Sequence, residues 1–153
     1  MGAVRRCMKS RVRTVVFSVS GGDWEAAGSM GSITIRGNLA SGKLIADVNI
    51  NSVTVSGSVD TSQILAGLDG PGVFGTLRVS GQFTNSLLGA GATPSDTPSG
   101  LPATSLRSDG MIRSITVSGA VDAQSRFLAA IEPKKAKLGG ITVVTASDPR
   151  FQI

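Results

Sequence analysis

The sequence contains no histidine and no tyrosine, one tryptophan (Trp24) and one cysteine (Cys7). Without histidine there is no Ser/His/Asp or Cys/His nucleophile and no imidazole-based metal site. A lone thiol cannot close a disulfide within the chain. No apolar run approaches the ~20 residues that a membrane-spanning helix needs. Aromatic residues make up only 4% of the chain, so no ring platform for sugars accompanies the acidic residues. Helical spacing is equally scarce, and glycine at 20 positions would weaken helices throughout.

Charge of one sign is concentrated rather than abundant. The net charge is +5. Arg5, Arg6, Lys9, Arg11 and Arg13 supply five positive charges before any acid appears, and beyond residue 14 ten basic residues balance ten acidic ones. The expectation is therefore a basic N-terminal arm, residues 1–14, disordered, with no basic patch on the folded body and no nucleic-acid partner. MGAVRRCMKSRVR has the charge of a secretory n-region, but residues 14–20 are too short and polar for an h-region. A start site that truncates a longer reading frame is expected, because Phe17-Ser-Val19-Ser-Gly21 already reads as mid-repeat sequence. A first irregular coil is the other alternative to a mobile arm.

What the sequence does have is a repeat. INSVTVSGSVDTSQILAG, residues 50–67, restates Met30-Gly-Ser-Ile33-Thr-Ile35-Arg-Gly37 and its continuation Leu44-Ile45-Ala46. Phe74-Gly-Thr-Leu77-Arg-Val79-Ser-Gly81 and Ile112-Arg-Ser-Ile115-Thr-Val117-Ser-Gly119 restate it again. Weaker copies lie at Phe17–Gly21 and at Leu138-Gly-Gly-Ile141-Thr-Val143. Gly21, Gly37, Gly57, Gly81 and Gly119 follow one another at intervals of 16, 20, 24 and 38 residues. A self-similar period of this size signals a solenoid.

Val53-Thr-Val55 and its equivalents alternate apolar and polar residues, are rich in β-branched side chains, and end at glycine, which predicts strands. Two short strands per unit predict an all-β fold, a single-stranded, right-handed parallel β-helix of about five to six coils of ~20 residues over 15–153. Its core would be roughly 25–30 Å long at ~4.8 Å per coil. Ile33, Val53, Leu77, Ile115 and Ile141 should form one internal ladder, and Ile35, Val55, Val79, Val117 and Val143 the next. Trp24 is expected to plug the open end or to replace a packed aliphatic residue, while Phe151 and Ile153 fold over the last coil. Residues 91–110, rich in Pro, Ser, Thr and Gly, should leave the rod as a surface loop, the first place to look for a glycan or protein partner. Residues 132–137, with Lys134, Lys135 and Lys137, read as a solvated loop.

No residue set emerges as catalytic, cofactor-binding or metal-binding. Asp69 offers one carboxylate where calcium wants several oxygens. Asp60 and Asp122 share a repeat position two coils apart, roughly 10 Å, the feature to weigh for a polysaccharide lyase or hydrolase. Thr34, Thr54, Arg78, Thr116 and Thr142, with Arg36, Ser56, Ser80, Ser118 and Val144, should line an exposed face. A Thr/Ser face of this kind can bind ice, but the arginines interrupt it, and hydroxyls are also what an exposed sheet tolerates.

The repeated φ-G-S-I-T-V-x-G-x-V…S-x-x-L-A-G unit, with Ser125-Arg-Phe-Leu-Ala-Ala130 and Asp148-Pro-Arg-Phe151, resembles very large bacterial exported β-solenoid repeat proteins, haemagglutinin- or adhesin-like, over residues 15–153. The resemblance implies a non-catalytic structural or adhesive module of a secreted or cell-surface protein, without cofactor. No functional residue carries over from it. The runner-up resemblance is to bactofilin-like β-helices, which implies a cytoplasmic, end-to-end polymer. A carbohydrate-active β-helix enzyme ranks below both. An open N-terminal edge is expected to promote self-association through the solenoid end.

Overall fold

The computed structural model describes residues 14–68, 71–91 and 109–153, with the backbone alone at 14–16. The chain winds into a parallel β-solenoid of about five coils, the first four each built from three strands rather than the two expected. The first coil holds β1 (Thr14–Val16), β2 (Val19–Ser20) and β3 (Asp23–Ala26). β4 (Met30–Ile35), β5 (Leu39–Ala40) and β6 (Lys43–Ala46) form the second, and β7 (Asn49–Val55), β8 (Val59–Asp60) and β9 (Gln63–Ala66) the third. β10 (Val73–Val79), β11 (Phe83–Thr84) and β12 (Leu87–Ala90) follow, then β13 (Met111–Val117) and β14 (Arg126–Leu128). A shortened closing turn holds β15 (Lys135–Leu138), β16 (Ile141–Thr142), a 3-10 turn at Thr145–Ser147 and β17 (Phe151–Gln152).

Like strands stack into three sheets. A seven-stranded long sheet runs β1-β4-β7-β10-β13-β15-β16, a four-stranded short sheet runs β11-β8-β5-β2, and a six-stranded third sheet runs β17-β14-β12-β9-β6-β3. Register is strict: Ile33 pairs with Val53, Val53 with Leu77 and Leu77 with Ile115. Trp24, Leu44, Ile64, Leu88, Phe127 and Phe151 form another inward column. Trp24 thus takes an aliphatic residue's place in the first coil, partly buried against the core. The third sheet is apolar on its outward side as well, where Ile45, Leu65, Leu87 and Leu128 form a second buried cluster with Leu68 against it. That explains why Gln63–Ala66 and Leu87–Ala90 show no polar alternation.

Each corner has its own chemistry. After the long strand, Gly57 donates its amide to Gly37 O at 2.9 Å and Gly81 donates to Gly57 O at 2.9 Å. A Cβ at either glycine would stand 2.7 Å from that carbonyl oxygen, so close coil-to-coil approach requires glycine there. After the short strand, Ser41, Thr61 and Asn85 take left-handed backbone, with φ of 51°, 48° and 43°. The third corner carries the length variation: 27–29, 47–48, 67–72, 91–110 and 129–134 all join a third-sheet strand to the next long strand. Gly91 N donates to Ala66 O at 2.7 Å and Met111 N to Gly72 O at 2.9 Å, so the coil is in register on both sides of the 91–110 insertion. Most of that insertion, 92–108, lies outside the described residues.

Both flanking repeats are corrected. Val19 pairs with Leu39 on the short sheet, so Gly21 matches the left-handed corner and not the glycine corner, and Phe17 is 79% exposed. At the other end the ladders close on Ala136 and Leu138 of β15 rather than on Ile141 and Val143. Gly139 and Gly140, with φ of 62° and 76°, reverse the chain so that β16 runs antiparallel and Ile141 is 70% exposed. Lys135–Leu138 is therefore a strand and not the expected solvated loop, with Ala136 and Leu138 facing in. Phe151 does close the last coil, its ring 4.9 Å from that of Phe127, whereas Ile153 is half exposed.

Candidate functional site

The two carboxylates on one face lie where the repeat places them, separated by Thr84 of the intervening coil. Thr84 Oγ1 donates to Asp60 Oδ1 at 2.8 Å, and Thr61 Oγ1 to Asp60 Oδ2 at 3.2 Å. Asp122 is engaged more fully. Its Oδ2 accepts the Asn85 amide at 2.9 Å, and its Oδ1 accepts both the Ser125 amide at 2.9 Å and Ser125 Oγ at 2.6 Å. Both side chains thus hold the left-handed corner, and they do not converge on a common point where a reacting group would sit.

A serine column beside them escapes the sequence reading. Ser62, Ser86 and Ser125 are fully buried. The amide of Gly42 donates to Ser62 Oγ, that of Ser62 to Ser86 Oγ and that of Ser86 to Ser125 Oγ, at 3.2, 3.0 and 3.4 Å. Each hydroxyl turns back onto a carbonyl of its own or the preceding coil. The signal is a serine placed just before each apolar run, Ser62-Gln-Ile-Leu and Ser86-Leu-Leu.

The ends of the solenoid differ. At the N-terminal end β1, β2 and β3 are each the last strand of their sheet, and among the described residues nothing pairs with their outer edges. At the other end the antiparallel β16, the 3-10 turn and β17 cover the last coil. Asp148 and Arg150 pin this cap. Nη2 of Arg150 lies 2.5 Å from Asp148 Oδ2, and its Nη1 donates to Val121 O of the coil below at 3.0 Å. The guanidinium hydrogen-bonded to it holds the Asp148 carboxyl below the ordinary carboxylate range, against the opposing effect of burial. Thr145 Oγ1 donates to Glu132 as a second tie. An open cleft of about 640 Å³ runs along the seam between cap and coil, but the Arg126 guanidinium in it already donates to the Ala123 and Ser125 carbonyls.

The outward side of the long sheet differs from expectation in charge. Thr34, Thr54, Arg78, Thr116 and Lys137 form one column, and the expected Thr142 follows as the antiparallel partner of Lys137, so a lysine is added to the expected row. Ser32, Ser52, Thr76, Ser114 and Lys135 form the next. Arg36 and Arg113 belong to the same side, beside exposed Ser56, Ser80 and Ser118. The described part of this sheet contains no carboxylate on any strand. The expectation that basic character stops at the N-terminal arm is therefore overturned. A balanced total hides the separation, because strict register brings distant arginines and lysines to one side of the sheet while the described acids fall on corners and on the other sheets.

Among the described residues, no cluster of three His, Cys, Asp or Glu could hold a metal ion. Asp69 lies outside them. No helix among them is long and apolar enough to cross a membrane. Comparison with family models, with curated proteins and with solved structures gives no match to this chain.

Proposed function

We propose that this chain is a non-catalytic structural and adhesive β-solenoid module of a secreted or cell-surface bacterial protein. The observation that carries this reading is where the polar side chains go. Among the described residues every buried side-chain nitrogen and oxygen has a hydrogen-bond partner. The paired carboxylates and the serine column bond coil to coil, which is scaffold chemistry. What stays outward is the hydroxyl- and cation-bearing side of the long sheet and a corner that accepts insertions, the usual display sites of a solenoid.

Labelling of intact host cells tests the location. A protease-cleavable tag placed in the 91–110 insertion should be cut on intact cells, and recovery of uncut protein solely from the cytosol overturns the surface assignment. Turnover on a panel of soluble glycans that disappears in Asp60→Asn or Asp122→Asn would overturn the non-catalytic part.

A polymerising cytoskeletal β-helix is the second reading, favoured by N-terminal strand edges that pair with nothing among the described residues. Head-to-tail growth needs two complementary faces. The capped C-terminal end, with its reversed β16, offers no matching set of parallel edges, so this reading ranks below the first.

A further inference from the structure

We infer that the outward face of the long sheet binds an extended acidic polysaccharide, with Arg36, Arg78, Arg113, Lys135 and Lys137 as its cationic contacts. This deepens the adhesive reading and rests on it, but not on where the protein resides.

Three observations support it. First, none of these five side chains has an ion-pair or hydrogen-bond partner among the described residues, whereas Arg126 and Arg150 are tied to carbonyls and to Asp148. Five unneutralised like charges on one face repel each other and attract counter-anions. Among the described residues, Asp47, Asp109 and Glu132 sit at the corner before the long strands, and Glu132 is taken by Thr145. Second, the charges are spread rather than convergent. Arg78 and Lys137 share a column with Thr116 between them, roughly 10 Å apart at two coil spacings. Arg113 lies three residues before Thr116, roughly 10 Å along the strand, and shares its side because the strand is irregular there, Arg113 and Ser114 both facing out between buried Ile112 and Ile115. Among the described residues, neither the cleft at the cap seam nor the one beside Glu132 is lined by any of them, and the spacing suits a polymer carrying a charge at intervals. Third, the positions between the charges are hydroxyls: Ser32, Ser52, Thr76 and Ser114 in one row, Thr34, Thr54 and Thr116 in the other.

The same face argues against other polyanions. Single-stranded nucleic acid is held by aromatic stacking, and no aromatic side chain points outward from the described part of this sheet. Among the described residues no helix stands on this sheet to enter a duplex groove. Arginine pairs with carboxylate or sulfate in bidentate fashion, and hydroxyl rows exchange hydrogen bonds with sugar hydroxyls.

Substitutions drawn from neighbouring coils allow a test that spares the fold. Arg78→Thr gives its column the threonine found at Thr54 and Thr116, and Arg113→Asn gives the residue that β7 carries as Asn51. The full chain and the double variant would be titrated against polygalacturonate, heparin and neutral dextran, with a single-stranded oligonucleotide and phosphatidylserine vesicles as competitors. Circular dichroism would confirm that the variant folds, and Lys43→Ser, on another sheet, would serve as the control for loss of a charge elsewhere. Binding to one or both acidic polysaccharides that weakens with salt, is absent for dextran, is unaffected by Lys43→Ser and falls about tenfold or more in the double variant is the expected result. No binding, equal binding by a folded double variant, or preferential capture by oligonucleotide or vesicles overturns the inference. Failure here leaves the surface-labelling result standing, so the two readings fail separately.

Discussion

Gly81 lies directly over Gly57: its amide donates to the Gly57 carbonyl at 2.9 Å, and a Cβ on Gly81 would stand 2.7 Å from the same oxygen. Backbone cannot yield there as a flexible side chain can. Gly81→Ala is therefore expected to cost about 1–3 kcal/mol, the range for inserting a methyl group into filled space. Gly28→Ala, where nothing lies within 4 Å, should change stability by less than ~0.5 kcal/mol. Paired urea melts check this, and equal losses for the two variants would show that coil spacing adapts at the corner.

The buried serines give a second prediction. Ser86 Oγ accepts the Ser62 amide at 3.0 Å and donates to Thr84 O at 2.6 Å. Ser86→Ala leaves a buried amide unsatisfied, at a cost of about 1–3 kcal/mol. Ser118→Ala, on the exposed outer row, should be nearly silent. Amide exchange should quicken at Ser62 more than elsewhere, and an unaltered Ser62 amide would mean that it has found another acceptor.

These corners also mark how far the sequence could be read. Glycine recurring two residues after each apolar-x-apolar triplet, at Gly37, Gly57, Gly81 and Gly119, disclosed the solenoid, because one steric requirement repeats in four successive coils. Leu138-Gly-Gly-Ile141-Thr-Val143 misled for the same reason. It has the letters of the motif, but Gly139 and Gly140 in left-handed backbone turn it into a reversal, and the plainer Lys135–Leu138 fills the ladder. The third strand per coil escaped notice because two residues, such as Val59–Asp60, leave no periodicity to detect. The basic face was invisible to counting, since Arg78 and Lys137 share a column only once the register across β13 is known.

Asp148 and Arg150 predict a pH dependence confined to the cap. The folded-state carboxyl pKa is depressed, chiefly by the hydrogen-bonded guanidinium. Its stabilisation is therefore present above the unfolded carboxylate value and is lost as pH falls through the folded one. Wild type should exceed Asp148→Asn in stability at neutral pH, by ~1 kcal/mol or less for a partly exposed pair, and the two should converge in acid. A difference that persists undiminished in acid would mean that the substituted amide disturbs the cap by shape and not by charge.

The stacked rings carry the cap onto the rod, and their order predicts unequal costs. Phe127 lies between Phe83 and Phe151, with centroids 5.2 and 4.9 Å away, and is buried, whereas Phe151 is only partly so. Phe127→Ala should cost about 3–5 kcal/mol. Phe151→Ala should cost less and free the closing turn without unwinding earlier coils, because each coil of a solenoid contacts only its neighbours. Phe127→Leu restores the residue type of Leu88 one coil earlier and should cost under ~1.5 kcal/mol. Hydrogen exchange resolved by residue checks the localisation. In Phe151→Ala, protection should fall at Ala129, whose amide bonds Gln152 O, and persist at Gly81 and Gly57. Uniform loss of protection along the rod would show that the cap sets the stability of the whole stack.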